Sequence, residues 1–576
     1  MKKLLTFILC AFWALAANAQ NIDKEINSLM GKHALFDVTN DYFVMLENYY
    51  PESAYRAGLE RAIDRLDERN AEADQKRISD VARLRRMVDN VKKKKLTQSE
   101  KTDHDILTSV LKYESYLLAK KRYATSPLYY LEAQDAVYDV MLKKTNSIRQ
   151  FKDVEPRLAQ LPKVFTDAVV NVNAMSKQEA ALAINKAYHA YITIEDYERF
   201  LSKNADDSID RADLKKIVAV EKQRLREFFN YLKLVEPKTK EVNSTNDFKV
   251  RLSTKLHLNY DINVMAQKAQ TSLNANALVL RDSLKAINPK KAPEIKDFYA
   301  LRTKLNNAPK YENLLTTVAD EIKAANASMK GFLPAADMRV YVNHMPQYPS
   351  LLNPTHLFIP PYGVEHNLVG TLFIYTPPVA KDKAAFVKKN YTLPRIKLLV
   401  AESVVPGRQM FYSYSYDTKP IRRVLASDSM VDGWAAYAKH IALASGYLNT
   451  DEDRMFLAWD DYVLALKGIV DMKYHTGQLD YDEAELFMVS LGVSEEDAKL
   501  FMRQIAFNPG KSIAALMAFE ELKTQYAKYA DKYGEDFSPA SFYHKIFSIG
   551  KIPVSALDAE LVEEYKKDKH PGLLKF

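Results

Sequence analysis

The chain has 576 residues, of which 47% are hydrophobic, so it can bury a large core and is long enough for several domains. Its formal charge of +8 is modest for this length, and nothing in the composition suggests binding to nucleic acid. Cys10 is the only cysteine and lies in a stretch that we expect to be removed, which excludes disulfide bonds and cysteine-based catalysis in the mature protein.

Residues 1–19 have the pattern of a secretory signal peptide. Lysines precede an apolar run at residues 4–16, and Ala17-Asn18-Ala19 forms a small-x-small cleavage site. A lipid anchor on Cys10 is disfavoured because the residue before it is not small. We therefore predict an exported protein, periplasmic or extracellular. No later stretch is apolar enough to span a membrane.

Helical periodicity dominates the rest of the chain. Apolar residues recur at spacings of three and four, and only 15 glycines interrupt the pattern. These spacings predict a mainly α fold. The predicted helices include residues 57–91, 154–172, 177–201, 211–234 and 262–286.

Two short β-rich segments, residues 356–360 and 371–375, interrupt the helical pattern. Tyr362-Gly363 lies between them and Pro377-Pro378 follows them, which predicts a small β-hairpin. The edge of such a hairpin can pair with an extended peptide, because backbone hydrogen bonds do not depend on the side chains. A purely structural hairpin is the favoured interpretation.

The most distinctive motif is VAESVVPGRQ at residues 400–409. With Pro406-Gly407 setting the register, it resembles the His-Glu-x-x-Pro-Gly-His motif of the bacterial domain-of-unknown-function family 885, whose members look like helical zinc metallopeptidases. In this register the first metal histidine falls on Glu402, the general-base glutamate on Ser403 and the second histidine on Arg408. A shifted register would make Glu402 the general base, but it needs an inserted residue and supplies neither histidine.

The resemblance implies a zinc site, but these three replacements argue against bound zinc. Hydrolytic zinc takes three N, S or O ligands and keeps a position for water, whose proton a carboxylate removes. Ser403 cannot act as that base, and the guanidinium of Arg408 has no lone pair and would repel a divalent cation. The eleven histidines contain no His-x-x-x-His pair. His344, His356 and His366 have no familiar ligand spacing, so we expect satisfied surface or loop histidines there and no cofactor.

Further segments extend the resemblance over roughly the whole mature chain. Asp432 begins Asp-Gly-Trp-Ala-Ala-Tyr, which is similar to a family segment whose first glutamate is the expected third zinc ligand. Lys467, Asp471 and His475 share one helical face and stand where the family shows Arg, Asp and His. Ala515 stands in place of an expected tyrosine. Positions that shape the fold match, whereas positions that carry chemistry differ.

The resemblance implies a large helical, zinc-peptidase-like fold with a deep cleft. An N-terminal helical region at residues 20–330 and a C-terminal region at residues 331–576 would form one fold around this cleft. No residue is identified as catalytic. The degenerate site positions expected to converge in the cleft are Glu402, Ser403, Arg408, Asp432, Asp471 and His475.

We predict a catalytically degenerate, non-hydrolytic relative of these peptidases with a peptide-binding or structural role. Arg408 beside Glu402 and Asp432 would hold a peptide terminus or, as the favoured interpretation, replace the metal as an internal cross-link. One alternative is an active hydrolase that uses Mg²⁺ or Ca²⁺, or a metal-free mechanism supported by His475. Another is a surface scaffold that binds a partner protein. The oligomeric state stays open.

Overall fold

The computed structural model describes residues 35–145, 147, 149–202, 208–236, 245–289, 292–333, 339–345, 351–364, 368–377 and 379–567. The predicted signal peptide, Cys10 and His366 lie outside the described residues. The prediction of a mainly α fold with a small β element is confirmed. Within the described ranges, no helix combines the length and the apolar character needed to cross a membrane.

Helices before residue 330 form the N-terminal region. Their bounds are α1 (Phe36–Tyr49), α2 (Pro51–Ala57), α3 (Ala71–Asp89), α4 (Gln98–Ala119), α5 (Arg122–Thr125), α6 (Pro127–Lys143), α7 (Gln150–Leu158), α8 (Leu161–Asn171), α9 (Lys177–Ser202), α10 (Ser208–Leu234), α11 (Thr245–Val250), α12 (Ile262–Ile287), α13 (Asp297–Lys304) and α14 (Leu314–Ser328). Short 3₁₀ turns lie at Glu60–Ala62, Lys93–Lys95 and Tyr311–Asn313. A π-helical turn at Arg251–Lys255 continues α11.

The remaining helices follow a small sheet. Their bounds are α15 (Ala380–Asn390), α16 (Leu393–Ser403), α17 (Arg408–Tyr414), α18 (Ser429–Ala444), α19 (Asp451–His475), α20 (Tyr481–Ser490), α21 (Glu495–Phe507), α22 (Lys511–Tyr533), α23 (Pro539–Ile549) and α24 (Leu557–Lys567). Short 3₁₀ turns lie at Ser415–Asp417, Gly534–Asp536 and Val554–Ala556, and a second π-helical turn lies at Ile421–Leu425.

The predicted helices at 177–201, 211–234 and 262–286 correspond to α9, α10 and α12. The continuous helix predicted at 57–91 is wrong. Helix α2 ends at Ala57 because Gly58 adopts a φ of 100°, which glycine reaches without a steric penalty. Helix α3 begins only at Ala71, where Asn70 caps it by accepting a hydrogen bond from the amide of Ala73. The helix predicted at 154–172 is likewise divided into α7 and α8.

The sheet has three strands in the order β1-β3-β2: β1 (Arg339–His344), β2 (His356–Ile359) and β3 (Val369–Ile374). Strand β2 runs antiparallel to β3 with His356 opposite Ile374, so the predicted hairpin is confirmed. Strand β1 was not predicted. It pairs with β3 in the parallel direction, and its side chains are only half-buried or exposed, which leaves a weak apolar pattern in the sequence.

The largest hydrophobic core crosses residue 330. Helix α12 packs along α19, and α18 packs along α22, so apolar residues such as Leu280 and Leu466 belong to the same core. Each fully buried large apolar side chain contributes roughly 1.5–3 kcal/mol. A second core lies among α6 to α10, where Phe165 stacks on Phe228. A third lies among α1 to α4 and includes Ile421.

Buried ion pairs join the two regions. Arg422 lies in the second π-helical turn, and its Nε donates to Asp103 Oδ1 of α4 at 2.8 Å. Its Nη2 donates to Glu560 Oε1 of α24 at 2.9 Å, and its Nη1 donates to the carbonyl of Ile549 at 2.9 Å. All three charged side chains are buried, and Lys419 Nζ also binds Asp103 Oδ2 at 2.6 Å, so the buried charges compensate one another.

Candidate functional site

A tight turn between α16 and α17 brings Glu402 and Arg408 together. A Cβ atom on Gly407 would lie 1.9 Å from the carbonyl oxygen of Glu402, so only glycine fits there. The indole Nε1 of buried Trp434 on α18 donates to the carbonyl of Pro406 at 2.8 Å. This bond ties the turn to α18, which also carries Asp432.

Arg408 bridges two carboxylates at this turn. Its Nη1 lies 2.6 Å from Glu402 Oε1, and its Nη2 lies 3.1 Å from Asp432 Oδ1. Only 24% of the Arg408 side chain is exposed. Desolvation alone would raise the pKa of Glu402, but Arg408 and Lys439 outweigh it and hold that pKa well below its ordinary value. Glu402 is therefore ionised at neutral pH.

Four further charged side chains lie around the two carboxylates that Arg408 bridges. Lys439 Nζ lies 3.7 Å from Glu402 Oε2 and 2.9 Å from Asp460 Oδ2. Arg395 Nη1 lies 2.9 Å from Asp460 Oδ1. Lys511, the first residue of α22, places its Nζ 3.5 Å from Asp432 Oδ2 and is 57% exposed. We call this set the charge cluster, and in it four cations face three carboxylates: Arg395, Glu402, Arg408, Asp432, Lys439, Asp460 and Lys511.

Ser403 and His356 lie beside the cluster, the first buried and the second half-buried. Ser403 is 1% exposed at the end of α16. His356 lies on β2 within the electrostatic field of Glu402 and Arg408, and burial lowers its pKa to about 4, so it is neutral at pH 7. Its Nδ1 is 3.0 Å from the hydroxyl of Thr355. The sequence predicted a surface or loop histidine at 356, whereas the structure places it half-buried on β2 next to the cluster.

Asp471 and His475 lie fully buried in the core and have a different role. Asp471 accepts hydrogen bonds from the amides of Gly510, Ser512 and Ile513 at 2.8, 3.0 and 3.2 Å, so it caps the start of α22. Burial outweighs these bonds and raises its pKa to about 7. His475 Nε2 is 3.1 Å from the carbonyl of Ile505, and burial lowers its pKa to about 4. Asp471 thereby fixes the helix that carries Lys511.

The interaction between Asp471 and His475 is not a catalytic dyad in this geometry. Their closest nitrogen and oxygen atoms are 3.6 Å apart, which is too long for a hydrogen bond. The imidazole instead stacks on Phe248, with ring centres 5.5 Å apart. Both groups have no solvent exposure, so neither can reach a ligand in the cleft.

The cluster does not fit the zinc ion that the resemblance implies. A zinc site needs three ligands with free lone pairs, and here a guanidinium lies between the two carboxylates that take two of the ligand positions. Lys439 and Lys511 add positive charge to the outer oxygens of the same carboxylates. In the part of the chain that the structure describes, no group of three or more His, Cys, Asp or Glu side chains is arranged to hold a metal.

A further group of charged residues lies on α6, which the sequence did not single out. The side chains of Glu132 and Asp135 are 41% and 49% exposed, and desolvation raises the pKa of Asp135. Arg122 and Lys186 each lie 2.5 Å from one of these carboxylates. Lys255 interacts electrostatically with both Glu132 and Lys511, which relates this group to the cluster.

Comparison with known proteins identifies the family but no activity. The model of the family described as bacterial protein of unknown function (DUF885) matches residues 51–561. No curated protein matches this chain.

Two solved structures share the fold. A candidate lipoprotein of unknown function from Shewanella oneidensis superposes with a TM-score of 0.71 and 15% identity, covering 91% of this chain and 99% of that one. A candidate lipoprotein from Colwellia psychrerythraea gives a TM-score of 0.74 and 13% identity, covering 93% of this chain and 100% of that one. At these identities the likeness concerns the fold alone. Because the family model covers most of its length, the chain belongs to DUF885, a family of bacterial proteins of unknown function.

Proposed function

We propose that this protein is an exported, non-hydrolytic relative of helical zinc peptidases that binds an acidic group of a peptide in a metal-free cleft. The observation that carries the proposal is the position of Arg408. Its guanidinium spans Glu402 and Asp432 at 2.6 and 3.1 Å, where a metal ion would need those oxygens. The same argument disfavours Mg²⁺ and Ca²⁺, which also bind through carboxylate oxygens.

The excess of cations over carboxylates supports binding of an anion. Arg395 and Lys439 are balanced by Asp460 and Glu402, and Arg408 takes the inner oxygens of Glu402 and Asp432. Lys511 is more than half exposed and only 3.5 Å from Asp432. It is therefore the cation best placed to accept a carboxylate from solution, through a charge-assisted hydrogen bond.

Strand β2 supports a peptide as the carrier of that carboxylate. It is an edge of the sheet, since the strand order is β1-β3-β2, and its residue His356 lies in the field of Glu402 and Arg408. An extended peptide that added to this edge would run beside the charge cluster. Its terminal carboxylate would then lie within reach of Lys511.

Burial of the remaining candidate groups supports the absence of hydrolysis. Ser403 and His475 are 1% and 0% exposed, so neither offers a nucleophile or a base to a bound peptide. The internal cross-link is the second candidate role. It is favoured by the short Arg408–Glu402 distance and the low exposure of Arg408, and it would leave the cleft without a ligand.

Metal content and peptide binding test the proposal together. The mature wild type and Arg408→His are incubated with Zn²⁺, freed of loose ions and analysed for zinc. Both are then mixed with one peptide pool prepared with free and with amidated C-termini. We expect no stoichiometric zinc and no cleavage in the wild type, and about tenfold tighter binding of the free-carboxylate peptides, because a hydrogen bond to a charged group is worth about 1.5–3 kcal/mol.

The matched control is Lys499→Gln, which removes one exposed lysine from α21, beside Lys511→Gln. Lys511→Gln is expected to abolish the preference for the free carboxylate, and Lys499→Gln to retain it. Stoichiometric zinc or peptide cleavage in the wild type would refute the metal-free, non-hydrolytic assignment. Equal binding of free and amidated peptides would leave the cross-link as the role of Arg408.

A further inference from the structure

Two cations lie next to the charge cluster and take no part in its ion pairs. Arg251 and Lys255 lie at the two ends of the first π-helical turn, four residues apart. Among the described residues, neither side chain makes an ion pair, and the Nε of Arg251 is buried without a hydrogen-bond partner. Lys255 is exposed. π-Helical turns occur frequently at functional sites, since they displace side chains from the regular helical positions.

Close packing places this turn against the start of α22. A Cβ atom on Gly510 would lie 2.7 Å from Leu256 Cδ1 and 2.9 Å from Leu252 Cδ2, so these leucine side chains pack directly on the Gly510 backbone. Lys511 follows directly and is exposed. This packing places the turn that carries Arg251 and Lys255 next to the start of α22.

Electrostatic repulsion within this group is strong. The pKa of Lys255 is lowered to about 7, first by Arg251 and then by desolvation, with further contributions from Arg122 and Lys511. Two carboxylates of the N-terminal region, Glu132 and Glu114, oppose this effect only in part. Glu132 is already paired with Arg122 at 2.5 Å, and burial raises the pKa of Glu114, which disfavours its charged form.

We propose that Arg251, Lys255 and Lys511 form an anion subsite that binds a compact oxyanion, either a carboxylate or a phosphate group, carried by the ligand of the cleft. A guanidinium and two ammonium groups supply several charge-assisted donors, and an oxyanion between them would remove their mutual repulsion. The identity of the rest of the ligand rests on the proposed function. Since Lys511 also belongs to the charge cluster, a peptide held there would be an acidic one, with an acidic or phosphorylated side chain beside its terminus.

Capped peptides test the subsite without the terminal carboxylate. Three acetylated and amidated hexapeptides share an alanine background and carry glutamate, phosphoserine or glutamine at one central position, and inorganic phosphate serves as a fourth probe. Binding is measured at low and at high salt to the wild type, to the double variant Arg251→Gln/Lys255→Gln and to the control Lys499→Gln. We expect at least one anionic probe to bind about tenfold more tightly than the glutamine peptide in the wild type and the control.

The double variant should lose this difference, and high salt should weaken it. Preference for phosphoserine and inorganic phosphate would identify phosphate as the group, and preference for glutamate would identify a carboxylate. Thermal unfolding provides the folding control, because removal of two mutually repelling cations should leave Tm unchanged or raise it. Unaltered binding of the anionic probes in a folded double variant, or no preference in the wild type, would overturn the subsite.

The same experiments distinguish failure of the proposed function from failure of the subsite. If capped acidic peptides bind through Arg251 and Lys255 while free and amidated C-termini bind equally, the subsite stands and terminal anchoring falls. If free C-termini are preferred but the double variant binds every capped peptide as the wild type does, terminal anchoring stands and the subsite falls.

Discussion

Glu221 on α10 offers a quantitative test of the fold. Its side chain is 0% exposed inside the second core, and neither carboxyl oxygen makes a hydrogen bond of good geometry within the described residues. Desolvation raises its pKa from 4.5 to about 8, and the amide of Gln134 opposes this only weakly. Glu221 is therefore protonated in the folded protein at neutral pH. The same carboxyl ionises near its ordinary pKa once the chain unfolds.

The stability that follows depends on pH in a defined direction. Between pH 4.5 and about 8, the folded state holds one more proton than the unfolded state at this position, so the free energy of unfolding falls as pH rises. The contribution is fully present below pH 4.5 and fully lost above about pH 8. At about 1.36 kcal/mol per pKa unit, the whole loss amounts to roughly 5 kcal/mol as an upper bound.

Urea denaturation at a series of pH values, followed by circular dichroism, measures this loss. Glu221→Gln has the shape of the protonated acid but cannot ionise. We expect the variant to match the wild type within about 1 kcal/mol near pH 5 and to exceed it by several kcal/mol near pH 9. Glu227→Gln, at an exposed position of the same helix, is the control and should follow the wild type. Parallel pH profiles for the wild type and Glu221→Gln would refute a buried neutral carboxyl.

Three further variants test the contacts that position the site. Arg422→Ala removes the guanidinium that binds two buried carboxylates, and only Asp103 keeps a second cation, Lys419 at 2.6 Å, so urea denaturation should show a loss of roughly 3–5 kcal/mol. Arg454→Ala breaks an exposed ion pair and should change stability by about 0.5 kcal/mol or less. Gly407→Ala should lower Tm strongly, because its Cβ would overlap the carbonyl oxygen of Glu402; a Tm equal to that of the wild type would show that the turn can open. Arg408→Ala should lower the free energy of unfolding by about 1–3 kcal/mol at neutral pH. Since the folded-state pKa of Glu402 is depressed, this stabilisation is present above pH 4.5 and disappears as pH falls through the depressed value, and a double-mutant cycle with Glu402→Gln should show the coupling vanish in acid.

The sequence predicted most of the elements that local patterns determine. The long helices α9, α10 and α12 and the hairpin of β2 and β3 follow from periodicity and turn residues. The interruption after Ala57 was missed because the apolar spacing continues across Gly58, although the chain leaves the helix there. Strand β1 was missed because it pairs with a strand distant in sequence, and pairing of that kind leaves little local signal.

From the sequence, only the site residues that lie within a single motif could be predicted to be in contact. Pro406-Gly407 and the register that they set led to Glu402 and Arg408, and the structure shows these two residues in contact. Lys439, Asp460 and Lys511 belong to three different helices, so their convergence depends on tertiary packing. Helical spacing correctly placed Asp471 and His475 on one face, but spacing cannot distinguish a face that lines a cleft from one that caps a neighbouring helix.

The core shared across residue 330 determines how this protein can be divided for experiments. A fragment that begins at residue 331 would lack α12 and would leave the apolar side of α19 open to solvent, which favours aggregation. A fragment that begins just before α11 would keep α12 with its partner, together with the π-helical turn that packs on Gly510. Autonomous folding should therefore follow the second boundary, even though the first separates the chain more evenly.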